Sequence, residues 1–223
     1  MHAYSCSLSG DQPLGKSTSR LLPIRTIMTR RWALVCIFLI LISVYPQATA
    51  TPSKTVNKLS RKLFYKKISA PTTLAEWVSV SGLFSLPIMQ QPNNNPVYVA
   101  NKPDILTQFQ KATKNGVTGL LAHNFLSGRE FSKMKIGQEV TITYADHIIR
   151  NYRVASIYHY QKLDPSDLFS DLIDLHYGIE FSSSEVFNQF YRGRPRVIFQ
   201  TCLEAGGRLD WGLLFVVALP VNE

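Results

Sequence analysis

Cysteine is scarce, with three among 223 residues. Two of them, Cys6 and Cys36, lie in an N-terminal stretch that reads as separate from the fold, so Cys202 is the one cysteine of the folded part. With no second cysteine inside that part, an internal disulfide is excluded and a reactive thiol is expected. Glycine-rich phosphate loops and dinucleotide fingerprints are absent, as are internal repeats and low-complexity segments. No two histidines share a metal-ligand spacing with an acid. The expectation is therefore no cofactor and no metal.

Uncharged apolar stretches long enough for an ordinary bilayer span are also lacking. The run from Trp32 to Tyr45 has fourteen residues, about 21 Å as a helix against a hydrocarbon core of about 30 Å. Arg30 and Arg31 precede it, and Ala48-Thr49-Ala50 follows. A basic head, a short apolar run and an A-x-A site describe a secretory signal peptide cut after Ala50. An uncleaved membrane anchor over 32–45 is the alternative. Met28 opens a more usual signal than Met1 does, so 1–27 reads as an extension or a mis-assigned start, 28–50 as signal or anchor, and 51–73 as a basic linker. The protein is expected to be exported, either extracellular or at a cell surface.

The net charge is +9. Residues 1–50 hold five Lys/Arg against one acid, leaving 19 against 14, or +5, for 51–223. Six of those 19 are Lys54, Lys58, Arg61, Lys62, Lys66 and Lys67. Cations gathered in a linker, with no aromatic interleaving on a groove, exclude nucleic acid as a partner. They read as a solvated segment, with adhesion to an anionic surface as the functional alternative.

About 150 residues remain, enough for one domain with a real core. The pattern is mostly β. Period-two alternation marks Trp77–Val80 and Leu83–Ile88, with Pro87 at an edge or strand end. Val97–Val99 reads as a strand, and Val140–Tyr144 with Tyr152–Tyr158 as an antiparallel pair around a polar turn. Helix signals are few. Pro103 opens one predicted to run to about Ala112, and Ser182–Glu185 is a capping box for another, with Val186, Phe187 and Phe190 inward. Many short strands with two or three small helices indicate a barrel or sandwich.

Two of the apolar runs carry chemistry at their ends. Val197–Thr201 leads into Cys202, and Val117–Ala122 leads into His123 and Asn124. A thiol needs a base or cation beside it to act as a nucleophile. Ending a strand beside Glu204-Ala205-Gly206-Gly207-Arg208, Cys202 is the candidate nucleophile; a small buried hydrophobe is the alternative reading. His147, His159 and His176 read as surface or structural histidines. Asp164, Asp167, Asp171 and Asp174 are spaced to share a helix face, read as a solvated acidic face.

The Thr201-Cys202 pair, the upstream Ala122-His123-Asn124 segment, the intervening Gly128, Phe131, Met134 and Ile136-Gly137-Gln138 turn, and the export segment together resemble the sortases. These are cell-surface cysteine transpeptidases. The resemblance spans about Leu74 to Val221. It implies an eight-stranded closed β-barrel over 74–223 and an enzyme that cuts a Leu-Pro-x-Thr-Gly-type motif near the C-terminus of secreted proteins. The acyl group passes through a thioester on Cys202 to an amine of cell wall or pilin, with His123 as general acid/base and Thr201 and Asn124 binding substrate. The family's arginine opens the last strand after a Trp-Gly pair. Here Trp211-Gly212 is followed by Leu213, and the nearest cation is Arg208, read as a loop residue. Calcium modulates some sortases, which singles out the aspartates above. A sortase-fold peptide-binding module without turnover is the second reading.

Overall fold

The computed structural model describes residues 74–221. Ten strands are present: β1 (Ala75–Val80), β2 (Phe84–Gln90), β3 (Leu106–Gln108), β4 (Thr118–Leu121), β5 (Glu139–Tyr144), β6 (Ile149–Lys162), β7 (Leu172–Asp174), β8 (Glu180–Phe181), β9 (Val197–Ala205) and β10 (Arg208–Pro220). The order β10-β9-β4-β3-β2-β1-β5-β6 is closed by pairing of β10 with β6, and β7 and β8 continue outward from β6. The result is the expected closed barrel of eight strands, which leaves no free edge in the ring.

Alternation along the strands sorts side chains into two cores. Val78, Val80, Leu120, Phe199, Leu214 and Val216 fill the interior. Leu121, Ile198, Cys202, Leu213 and Phe215 face outward, in a second core shared with Val186, Phe187, Phe190 and Tyr191 of α2 (Ser183–Tyr191). Phe190 of α2 stacks on Phe215 with ring centroids 4.1 Å apart. The capping box predicts where α2 starts. Ser182 accepts from the Glu185 N–H, and the Glu185 carboxylate accepts from the Ser182 N–H. Val186, Phe187 and Phe190 are buried, as their spacing requires.

Other expectations are corrected. Residues 103–112 do not form one helix. Leu106–Gln108 is a strand buried on both faces, laddered to β2 and β4, and the helix that follows, α1 (Gln110–Lys114), has five residues. Pairing on both sides outweighs the local start signal at Pro103. Val97–Val99 is irregular rather than a strand. Pro87 sits inside β2, one residue before the β3 ladder begins at Ile88, so its missing N–H leaves that ladder intact. His159 lies within β6 rather than after it. The four aspartates share no helix. Asp164 and Asp167 accept from N–H groups two residues on, in tight turns, and Asp174 ends β7. His147 occupies the β5–β6 turn, with φ +60°. The signal, anchor and linker readings for 1–73 lie outside the described residues.

Candidate functional site

The β4–β9 ladder positions the site. These strands run parallel, with Leu120 paired to Phe199 and Leu121 to Gln200. The Ala122 N–H donates to the Gln200 carbonyl at 3.3 Å, carrying the pairing past the end of β4. Two residues further along each chain, His123 comes abreast of Cys202. Neighbouring strands lie about 4.8 Å apart, and same-register residues of a parallel pair share a face. Leu121 and Cys202 belong to the outer core and Ala122 to the inner one. His123 follows Ala122 just past the end of β4, at the level of Cys202 by continuation of that register.

His123 is 5% exposed. Burial holds its pKa below the ordinary imidazole value of 6.5, and a hydrogen bond to the Val99 backbone pulls it partly back. The neutral ring favoured at neutral pH is the form that accepts a proton. Its face stacks on Phe125, with centroids 5.1 Å apart and planes at 17°.

Cys202 is 3% exposed, and its sulfur is disulfide-bonded in this structure. This corrects the expectation of a cysteine with no intramolecular partner: the chain holds two more cysteines, both outside the described residues. The strand also runs further than its apolar pattern indicates. β9 continues to Ala205, which pairs with Arg208, so Cys202 lies within the strand.

Arg208 is corrected in the same way. It opens β10 instead of lying in the connecting loop, which narrows to Gly206-Gly207, both at positive φ. Its guanidinium pairs with Asp210, Nε to Oδ1 at 3.3 Å and a terminal N–H donating to Oδ2 at 3.3 Å. Lys162, buried at the end of β6, donates to the Pro165 carbonyl at 2.8 Å. Its pKa is lowered by burial, against the pull of Asp210, Asp167 and Asp164. Neither Lys162 nor Asp210 is marked by any sequence motif.

Asn124 and Thr201 separate. The Asn124 side chain donates to the Leu209 carbonyl at 2.9 Å, tying the end of β4 to the start of β10 beside Arg208. Thr201, 2% exposed, alternates to the other face from Cys202. Its hydroxyl abuts Gly128, and no hydrogen-bond partner reaches it. Gly128 begins the tight 3-10 turn Ser127–Lys133, and its N–H donates to the His123 carbonyl at 3.0 Å. A glycine is required there because a Cβ would lie 2.6 Å from the His123 oxygen and 2.7 Å from that of Ala122. Among the described residues no three metal-ligating side chains gather.

The architecture is that of a closed eight-stranded barrel in which the β4–β9 register, continued past its last pair, brings a histidine level with a cysteine. Solved structures similar to this chain are sortases. Sortase C1 from Streptococcus agalactiae is 14% identical over 66% of this chain and 67% of its own, with a TM-score of 0.41. Sortase A from Corynebacterium diphtheriae is 14% identical over 67% of this chain, with a TM-score of 0.46, and the match spans 61% of that protein. Listeria monocytogenes sortase A is 13% identical over 68% of this chain and 88% of its own, with a TM-score of 0.42. No protein-family model and no curated protein sequence matches the chain.

Proposed function

We propose that this protein is a sortase-like cysteine transpeptidase, exported and acting at a cell surface. Its substrates are secreted proteins with a C-terminal Leu-Pro-x-Thr-Gly-type motif, and its acceptor is an amine of cell wall or pilin. The observation that carries this reading is the register of β4 and β9, which, continued past Leu121 and Gln200, brings His123 level with Cys202. The reduced Cys202 thiol passes its proton to neutral His123 as the sulfur attacks the scissile carbonyl. The C–N bond then breaks as the imidazolium so formed protonates the leaving amine. The thioester is then opened by an acceptor amine, whose proton passes to neutral His123. Arg208, opening β10, is the one cation between Cys202 and Glu223 and is the donor for the oxyanion.

A peptide-binding module without turnover is the second reading. Buried Leu213, where the family has its arginine, favours it.

Mass spectrometry after incubation with a panel of sorting-motif peptides, in the presence of a reductant, separates the two. The first reading expects a covalent acyl adduct on Cys202, lost in Cys202→Ala and slowed about 10²- to 10⁴-fold in His123→Ala. Binding without an adduct in folded, reduced protein selects the second. Export is checked by N-terminal sequencing from the producing cell, with Thr51 expected first. A membrane-bound chain starting at Met28 selects the anchor instead.

A further inference from the structure

Beside His123 the barrel rim carries a cavity of about 370 Å³, within the size range of small-ligand pockets. Strand directions place it. β2 is parallel to β3, and β3 antiparallel to β4, so the starts of β2 and β3 share a rim with the end of β4. Leu83, Phe84, Leu86 and Phe125 form an apolar wall, and Asp104, Glu130 and Arg129 bring charge to the lining. Phe125 both lines this cavity and stacks on His123, so the cavity adjoins the histidine.

The charges are unequal in their commitments. Glu130 accepts from Lys133 Nζ at 3.0 Å and lies 3.4 Å from Arg129 Nε, so its charge is answered. The Asp104 carboxylate makes no hydrogen bond or ion pair among the described residues. Ser127, also in the lining, is 6% exposed, and its buried hydroxyl lacks a hydrogen-bond partner. Such a group is costly to leave unsatisfied.

We propose that this cavity is the acceptor site and that it selects an aliphatic amine carrying a second positive charge, with Asp104 reading that charge. The inference rests on the acyl-transfer reading above and names its acceptor class. One ammonium is held at Asp104 and the methylene chain lies on the apolar wall. The other nitrogen, once deprotonated by His123, attacks the thioester carbonyl. The new C–N bond forms as the C–S bond breaks, and Cys202 leaves as the thiolate.

The test uses the full reduced chain. 1,5-Diaminopentane and 1-aminopentane are titrated while the Phe125 and Leu126 amide resonances are followed. The diamine is expected to shift them at a concentration at least tenfold lower than the monoamine, and Asp104→Asn is expected to erase the difference. Asparagine tolerates the φ of +55° at this position, so the variant keeps its backbone. Equal titration by the two amines, or a preference that survives Asp104→Asn, overturns the proposal. A second arm measures aminolysis of the acyl-enzyme, where the same substitution should raise the half-saturating concentration of the diamine and not that of the monoamine. If no peptide forms an acyl-enzyme, the acyl-transfer reading fails, and the titration decides the cavity's selectivity alone.

Discussion

Leu213 lies directly across the β9–β10 ladder from Cys202. Both belong to the outer core, and Leu213 is 4% exposed. Leu213, which follows the Trp211-Gly212 pair, is therefore an apolar neighbour of Cys202, in one core layer with Phe215 and Phe190.

Replacing it with a cation should have opposite effects on two measurements. Leu213→Arg buries a guanidinium in an apolar layer. A destabilisation of roughly 2–3 kcal/mol, at about 2–4 °C per kcal/mol for a chain of this size, lowers Tm by several degrees. Adduct yield per folded molecule with sorting-motif peptides should rise, because a cation beside the sulfur favours the thiolate. Unchanged adduct yield in folded Leu213→Arg would make the binding module the better reading.

Arg208→Ala should separate activity from stability. The pair with Asp210 is half exposed on the arginine side, and such pairs contribute about 0–1 kcal/mol. Thermal unfolding should shift little. Acyl transfer should fall by about 10²-fold or more if Arg208 supplies the oxyanion donor. Because Arg208 is held on a strand and by Asp210, less side-chain entropy is lost on docking than a loop arginine would lose. Unaltered turnover would reduce Arg208 to an ordinary surface charge.

Gly128→Ala tests the wedge beneath the site. A Cβ there overlaps the Thr201 hydroxyl and two backbone carbonyls that cannot rotate away. The expected loss is about 1–3 kcal/mol or more, accompanied by loss of any adduct because the ends of β4 and β9 are pushed apart. Gly82→Ala is the comparison. It has φ +69° with open space around the Cβ, so it costs about 1–2 kcal/mol of backbone strain and leaves adduct formation intact. Equal effects on adduct formation would mean that Gly128 does not position the site.

The His123 environment sets a pH dependence with a definite sign. Burial depresses its folded pKa below 6.5, so between the folded and unfolded values the unfolded chain binds more protons. Stability from this group is present above about pH 6.5 and is lost as pH falls below it. Denaturant midpoints compared at pH 7.5 and 5.5 should show that loss, and it should be smaller in His123→Gln. A midpoint difference identical in the two proteins would place the titration elsewhere.

Much of this protein is legible in one dimension. Period-two alternation in Trp77–Val80 and Val140–Tyr144, and the Ser182–Glu185 box that starts α2, are local signals with local causes, and the structure keeps them. The candidate site residues, His123 and Cys202, stand out because each follows an apolar run. Other features depend on pairing between distant segments. Leu106–Gln108 becomes a strand because β2 and β4 flank it, against a helix signal from its neighbours. Arg208 opens a strand because Ala205 is there to pair with it. Thr201 and Cys202 are adjacent in the chain yet face opposite cores, and that division depends on which side of the barrel wall α2 covers. Phe125, Asp104 and Ser127 gather around one cavity because closing the ring brings the starts of β2 and β3 to the end of β4. Local residue patterns encode periodicity and caps, whereas register between strands some eighty residues apart follows from closing the barrel around its interior core.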